Sequence, residues 1–259
     1  MKIATWNVNS IRVRLDALRR WCAEADPDVV CLQETKCENK LFPASDIAQM
    51  GYPHQAVHGQ KTYNGVAILS KHPLGHIQRG FSHGEPDPQA RLVGAVVGGV
   101  RVLCCYVPNG NQVGSDKFAY KLDWVSRLRL ELNHTSTKND NLLICGDFNI
   151  APADADVWDP FKAEGKILFH PDEHRALAGV TSFGLTDALR HVHPTGRYFS
   201  WWDYRGGGFP RNRGFRIDHH YLTEPLVARC KAVTTYRDVR GWERPSDHVP
   251  VMVELDDPG

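Results

Sequence analysis

Short apolar runs recur along the whole chain and alternate with stretches of helical spacing, and this alternation limits the fold more than any other feature of the sequence. Ile3 to Val8 reads as a strand. Val29 to Leu32, Val66 to Leu69 and Leu142 to Cys145 are continuous apolar segments of the kind buried on both faces. Leu92 to Val97 and Val100 to Val107, separated by Gly98-Gly99, have the pattern of a hairpin with a two-residue turn. Phe215 to Leu222 and Val249 to Leu255 complete the predicted strands. Ile11, Leu15, Leu18 and Cys22 share one helical face behind Ser10, a capping residue type, and Phe118, Leu122, Val125 and Leu132 mark a second amphipathic helix. With no linker and no clean repeat, the pattern predicts one α/β domain over residues 1–259, two sheets packed face to face.

The balance of 42% hydrophobic and 24% charged residues suits a globular domain with a sizeable core. A formal net charge of +1 means that any polyanionic partner must be met by a local surface. No segment approaches roughly eighteen unbroken apolar residues, and Met1-Lys2-Ile3-Ala4-Thr5-Trp6 is not a signal peptide. The seven cysteines are odd in number and form no Cys-x-x-Cys pair; Cys31, Cys104, Cys105 and Cys145 lie inside apolar runs. The expectation is a cytoplasmic protein with reduced core thiols, not a secreted, membrane, disulfide-stapled or disordered one.

Function is written where the apolar runs stop. Ile3 to Trp6 exits into Asn7, Val29 to Leu32 into Gln33-Glu34, Cys104 to Val107 into Pro108-Asn109-Gly110, and Leu142 to Cys145 into Gly146-Asp147-Phe148-Asn149. Phe215-Arg216-Ile217 runs into Asp218, and Ser246-Asp247-His248 precedes the last strand. Ligand sites of α/β proteins gather where strands meet loops, so these residues point to one convergent polar site. Glu34, Asp147 and Asp247 are hard oxygen donors, joined by Asn7 and Asn149; the set suits Mg²⁺ or Mn²⁺ and not zinc. No Gly-rich nucleotide loop and no Gly-x-Ser-x-Gly elbow is present. Such a metal site with a His, a Tyr and carboxamides nearby is equipped to attack a phosphate ester. Each element taken alone also fits an ordinary turn residue; the joint pattern does not.

From Arg197 to Arg216 there are five Arg against one Asp, interleaved with Tyr198, Phe199, Trp201, Trp202, Tyr204, Phe209 and Phe215. Arginines beside aromatics have the composition of a nucleic-acid contact surface, although a core strand with a solvated basic loop gives a similar count.

Together Pro27 to Lys36, Tyr63-Asn64-Gly65-Val66-Ala67, Tyr106-Val107-Pro108-Asn109-Gly110, Gly146-Asp147-Phe148-Asn149, Asn212 to Asp218 and Ser246-Asp247-His248 resemble the exonuclease III family of abasic-site endonucleases, and its bacterial branch most closely. The resemblance runs from Met1 to about Leu255. It implies a four-layer α/β sandwich of two mixed sheets flanked by helices. It also implies a Mg²⁺-dependent DNA-repair nuclease (Mn²⁺ as a substitute) acting as a monomer on double-stranded DNA with abasic sites or blocked 3′ ends. Superfamily members that act on lipid head groups share the Glu, Gly-Asp-x-Asn and Ser-Asp-His elements; Tyr106 and Ser200-Trp201-Trp202 favour the DNA branch.

By the same resemblance Asn7, Glu34, Asp147, Asn149, Asp247 and His248 hold metal, with Glu34 the principal ligand. Tyr106, Asp147, Asn149, Asp218 and His248 carry the chemistry, Asp147 either acting on the attacking water or holding a second metal. Asn9, Lys36, Arg91, Asn109, Lys121, Trp201, Arg211, Arg213 and Phe215 bind substrate, with Lys117 beside Lys121 along the groove. Trp201 and Phe215 wall a pocket for a flipped-out sugar. The chain departs from the family pattern at Thr186 to Arg190, His174, Phe215 and His219-His220-Tyr221.

Overall fold

The structure, a computed structural model, describes residues 1–256. In chain order the strands are β1 (Lys2–Asn7), β2 (Val29–Gln33), β3 (His54–His58), β4 (Val66–Ser70), β5 (Gly75–Arg79), β6 (Leu92–Val97), β7 (Val100–Tyr106), β8 (Leu142–Asp147), β9 (Leu185–Asp187), β10 (Asp218–Thr223), β11 (Cys230–Thr235) and β12 (Val251–Leu255). The helices are α1 (Ile11–Ala25), α2 (Ala44–Gln49), α3 (Asp116–Thr135), α4 (Pro160–Ala163), α5 (Pro171–Thr181), α6 (Ala188–Val192) and α7 (Glu224–Val227).

Two six-stranded sheets form, ordered β11-β12-β1-β2-β4-β3 and β5-β6-β7-β8-β10-β9. Each contains one parallel pair, β1 with β2 and β7 with β8, and the remaining neighbours are antiparallel. The period-two alternation of side chains gives every interior strand two buried faces. Ile3, Val29, Cys31, Val102, Cys104, Leu143, Cys145, Val251 and Val253 meet between the sheets. Ala4, Trp6, Val30, Leu32 and Met252 face outward against Ile11, Leu18, Trp21 and Cys22 of α1. Leu103, Cys105, Leu142 and Ile144 do the same against Trp124, Val125, Leu128 and Leu132 of α3 and Leu177 of α5. The result is the expected four-layer α/β sandwich. Among the described residues, no helix is long and apolar enough to cross a membrane.

Three local expectations are revised. Ser10 does not cap α1: its φ is 88° and its side chain makes no capping bond. The helix is instead anchored by backbone, Ser10 N–H to Glu34 O (2.8 Å) and Ile11 N–H to Thr35 O (3.2 Å). β10 starts at Asp218 because Phe215 pairs with Val157 and Trp201. β12 starts at Val251, since Val249 N–H bonds Ser200 O at 2.9 Å. The Gly98-Gly99 turn forms as expected, both glycines at positive φ.

The parallel β7–β8 ladder has one position where only glycine fits. Gly146, opposite Cys105 and at φ 145°, would place a Cβ 1.9 Å from Cys105 O. Gly146→Ala should therefore cost about 3 kcal/mol or more of unfolding free energy, read by urea denaturation. Wild-type stability in that variant would show that the ladder is looser than drawn.

Candidate functional site

The inward side chains change from apolar to polar at one edge of the sandwich. Along β1 the face that carries Ile3 continues to Thr5 and Asn7; along β2, Val29 and Cys31 lead to Gln33; along β7, Val102 and Cys104 lead to Tyr106; along β8, Leu143 and Cys145 lead to Asp147. β10 runs the opposite way and begins at this edge, with Asp218 in register with Asp147. The backbone then turns sharply: Asn9, Glu34, Lys36 and Asn149 all hold left-handed conformations, with φ of 44°, 51°, 53° and 50°.

These turns bring the predicted residues together. Asn7 Nδ2 donates to Glu34 Oε1 and to Asp147 Oδ2, both at 2.9 Å. The Tyr106 hydroxyl donates to Glu34 Oε1 at 2.9 Å, while Lys36 Nζ lies 2.8 Å from Glu34 Oε2 and 2.6 Å from Asn9 Oδ1. Asn9 Nδ2 reaches Asp247 Oδ1 (3.0 Å), whose other oxygen accepts from Trp201 Nε1 (2.9 Å). His248 Nδ1 sits 2.9 Å from Asp218 Oδ2, and its Nε2 lies 3.7 Å from Asp147 Oδ2. Asn149 N–H donates to Asp147 Oδ1 (2.9 Å) and its Nδ2 to Val107 O (3.0 Å) and Asp147 Oδ2 (3.2 Å).

Burial dominates the electrostatics, and the neighbours decide the outcome. Burial, with Asp218 and Glu34 nearby, lifts the Asp147 carboxyl to about 7 against the pull of His248. Burial alone would discharge His248, but Asp218 and Asp147 raise it to about 10, so it is an imidazolium. Burial also opposes charge on Glu34 and Asp247, yet Lys36 and Asn7 hold the first below the usual carboxylate range and His248 and Trp201 the second. Tyr106 is pushed well up by burial and by Glu34 and Asp147, which keeps it a donor.

Asp147, Asp218 and His248 bring ligand-type atoms within 4.8 Å of one another, the one such His, Cys, Asp or Glu group among the described residues. As an imidazolium His248 has no lone pair to give, so the carboxylates are what this cluster offers a cation, and the metal-ligand part expected of His248 does not fit its charged form. Asp218 Oδ1 is buried without a hydrogen-bond partner. With Glu34 and Asp247 adding hard oxygens, the donor set fits a divalent cation. Asn7 Oδ1 accepts from Asn9 N–H and Asn149 Oδ1 from Asn109 Nδ2, both at 3.0 Å, which leaves each oxygen one lone pair, while their NH₂ groups face carboxylates.

Arg91, Asn109 and Lys117 line a cleft of about 590 Å³ with Tyr63, Asn64 and Tyr106, and the Arg91 guanidinium lies 4.6 Å over the Tyr106 ring. Trp201 and Phe215 are half-buried and meet edge to face, centroids 5.8 Å apart. Arg211 and Arg213 are exposed, Arg213 lying 5.0 Å over Trp158. Lys121 differs from expectation. It is fully buried and lines no groove, because it pairs with Glu173 and with the carbonyls of Asn109 and Asn149.

Several contributors escape the sequence. Ser200 Oγ donates to Asp218 Oδ2 (2.6 Å) and accepts the N–H groups of Ile217 and Asp218 (3.1 Å each). Ser246 Oγ donates to Asn7 O (2.7 Å). Arg216, 1% exposed, bonds Asp156 (2.7 and 3.0 Å) and Asp187 (3.1 and 2.7 Å) and donates to His219 Nδ1 (3.0 Å). Ser200 and Ser246 stand in motifs that the sequence shows without giving them a part, and Arg216 lies inside an apolar run.

Comparison with known proteins shows the family. The sequence pattern of the Endonuclease/Exonuclease/phosphatase family matches residues 4–248. The chain is 36% identical to exodeoxyribonuclease III of Haemophilus influenzae over 98% of its own length and all of the relative's. It belongs to this family. Among solved structures, a Neisseria 3′ phosphatase, NExo, bound to a product DNA hairpin is 43% identical with a TM-score of 0.95, covering 99% of both chains. An AP endonuclease from Archaeoglobus fulgidus is 39% identical with a TM-score of 0.95, over 99% of this chain and 100% of its own. The chain is accordingly a phosphodiester hydrolase of the exonuclease III and AP endonuclease group.

The network behind the site makes the protein acid-sensitive. Burial, then Arg216, pushes His219 down to about 4, and burial beside His219 pushes His220 to about 3. Below about 6.5 the unfolded chain takes up these protons and the folded one refuses them, so what these two rings contribute is complete above that pH and declines towards pH 4, by up to about 1.4 kcal/mol per pH unit for each ring. Burial opposes charge on Asp156 and Asp187, but Arg216 lowers both, so their contribution is lost only below about pH 4. Asp147, raised to about 7, offsets about one ring's worth between pH 4 and 7, and His248, raised to about 10, gives up stability as pH climbs above about 6.5. Urea midpoints should therefore peak near pH 6.5 and fall towards pH 4.5; midpoints unchanged down to pH 4.5 would contradict it.

Proposed function

We propose that the protein is a Mg²⁺-dependent DNA-repair phosphodiesterase, with Mn²⁺ as a substitute. It cuts 5′ to abasic sites, removes 3′-phosphates and other 3′ blocks, and degrades duplex DNA from 3′ ends, as a cytoplasmic monomer. The observation that carries this reading is the meeting of Glu34, Tyr106, Asp147, Asn149, Asp218 and His248 at one sheet edge. The exonuclease, 3′ phosphatase and AP endonuclease relatives take it from phosphate esters in general to DNA.

Glu34, Asp147 and Asp247 would hold the cation, which would supply charge neutralisation at the phosphate. His248, oriented by Asp218, presents a charged N–H to the scissile phosphate. Asp147, braced by Asn7 and Asn149, orients the attacking water. Asn149 turns the amide hydrogen weakly held by Asp147 (3.2 Å) to a non-bridging oxygen, where charge grows in the transition state. Tyr106 donates to the phosphate or the leaving oxygen. Arg91, Asn109, Lys117, Arg211 and Arg213 meet the DNA backbone, while Asn9 and Lys36 set the edge of the metal site. Trp201 and Phe215 form the wall against which a sugar without its base packs.

Three duplexes test this directly: one with an abasic site, one with a 3′-phosphate and one blunt-ended, each with Mg²⁺ and with EDTA. All should be cut with Mg²⁺ and none with EDTA; metal-independent cutting overturns the reading. Glu34→Gln keeps the shape and removes a negative ligand, so kcat should fall at least about 100-fold, about 3 kcal/mol, with a higher Mg²⁺ requirement. Undiminished activity at low Mg²⁺ would take Glu34 out of the site.

Phe215→Ala separates pocket from core. Incision at abasic sites should drop roughly tenfold or more, while 3′-phosphate removal, which needs no flipped sugar, stays within about threefold. A parallel fall of both, or a collapse in Tm, would make Phe215 a core residue only.

A further inference from the structure

Lys121 has a fully buried side chain, and its partner, Glu173, is fully buried as well. It lies on α3, behind the active edge. Its three ammonium hydrogens meet three acceptors: Asn149 O at 2.7 Å, Asn109 O at 3.1 Å, and Glu173 Oε1 in a close ion pair. Glu173, on α5, is saturated in turn. Its Oε1 also accepts Leu168 N–H (3.2 Å) and its Oε2 accepts His170 N–H (3.0 Å), the second closing the capping box of α5. Replacing a buried ion pair with apolar residues of similar volume is often neutral for stability, so the pairing of the charges is not by itself what the fold requires. Glu173 caps α5, and what Lys121 adds is a hold on two backbone carbonyls.

Those carbonyls belong to residues that carry two of the site carboxamides, Asn109 and Asn149. Asn149 has a left-handed backbone, φ 50°, which fixes the direction of its side chain relative to Asp147. Asn109 Nδ2 donates to Asn149 Oδ1 (3.0 Å), leaving the Asn149 NH₂ turned to Val107 O and Asp147. One ammonium therefore ties the loops after β7 and β8 to each other and, through Glu173, to α5.

We propose that the Lys121–Glu173 pair is a positioning device for phosphate-ester hydrolysis, in which Lys121 touches no substrate but holds the Asn109 and Asn149 peptides so that the Asn149 amide faces the reacting phosphate. The inference rests on the role given above to Asn149. It replaces a groove-lining part for Lys121 with one exerted from the interior. Its signature is on turnover, not on DNA affinity.

The test uses the apolar double variant K121M/E173M, which removes both charges together, with E173Q as the milder variant should the first fail to fold. For either, side-chain amide signals of Asn109 and Asn149 in ¹⁵N spectra give a readout independent of activity. We expect those signals to shift and lose exchange protection, kcat on a 3′-phosphate duplex to fall 30- to 100-fold in K121M/E173M and severalfold in E173Q, and Kd for duplex DNA in EDTA to change less than threefold. Added to N149A, K121M/E173M should cost less than threefold more, since the pair acts through Asn149. Unchanged amide signals, a loss confined to Kd or KM, or losses that multiply with N149A overturn the inference. Shifted amide signals alongside an N149A variant of full kcat leave the positioning role standing and overturn the catalytic reading of Asn149 instead.

Discussion

Asp147 and Asp218 face each other across the β8–β10 ladder, both buried, with His248 between them. Two carboxylates so close and so dry repel, and the imidazolium is what makes the pair tolerable. Much of the architecture serves this arrangement. Ser200 Oγ fixes one oxygen of Asp218, Asn7 bridges Asp147 to Glu34, and Trp6 Nε1 holds the His248 carbonyl at 3.2 Å. Charge is thus stored at one edge of the sandwich, while the space between the sheets is filled by apolar side chains.

Geometry explains why the charge gathers there. The two sheets repeat one pattern, two antiparallel neighbours, a parallel pair, then two more antiparallel neighbours. α1 crosses between the parallel strands of one sheet and α3 between those of the other. No repeat is visible in the residues, so the symmetry is one of backbone only. Each parallel pair ends at the same edge, one delivering Asn7 and the Gln33–Glu34 turn, the other Tyr106 and Asp147. The carboxyl ends of parallel strands are where α/β folds place their ligands, and here two such ends share one site.

The eight strands legible in the sequence are the eight interior ones; the four that were not, β3, β5, β9 and β11, are the four sheet edges. An interior strand is buried on both faces and so reads as an apolar run. An edge strand need hide little: all but one residue of β5 is exposed, β11 buries Val233 alone, and β9 has only three residues. The site divides in the same way. Residues that follow a strand declare themselves by type and place, as Glu34, Asp147 and Asp218 do. Ser200, Arg216 and Glu173 act across contacts 18, 60 and 52 residues distant in sequence, which no local pattern records. Lys121 misleads for a further reason: lysine is rarely buried, and only its partners show why this one is.

The left-handed turns at Asn9, Glu34, Lys36 and Asn149 bear on how substrate arrives. A non-glycine residue in that region costs of order 1 kcal/mol and persists only where its surroundings over-determine it. Here the strands before it and the network around it do so. The strain is met when the chain folds, before any phosphate is present. Encounter with a substrate then leaves little backbone entropy to lose, and the free and occupied forms of this edge should differ chiefly in side-chain torsions. Recognition is in that sense rigid on the protein's side.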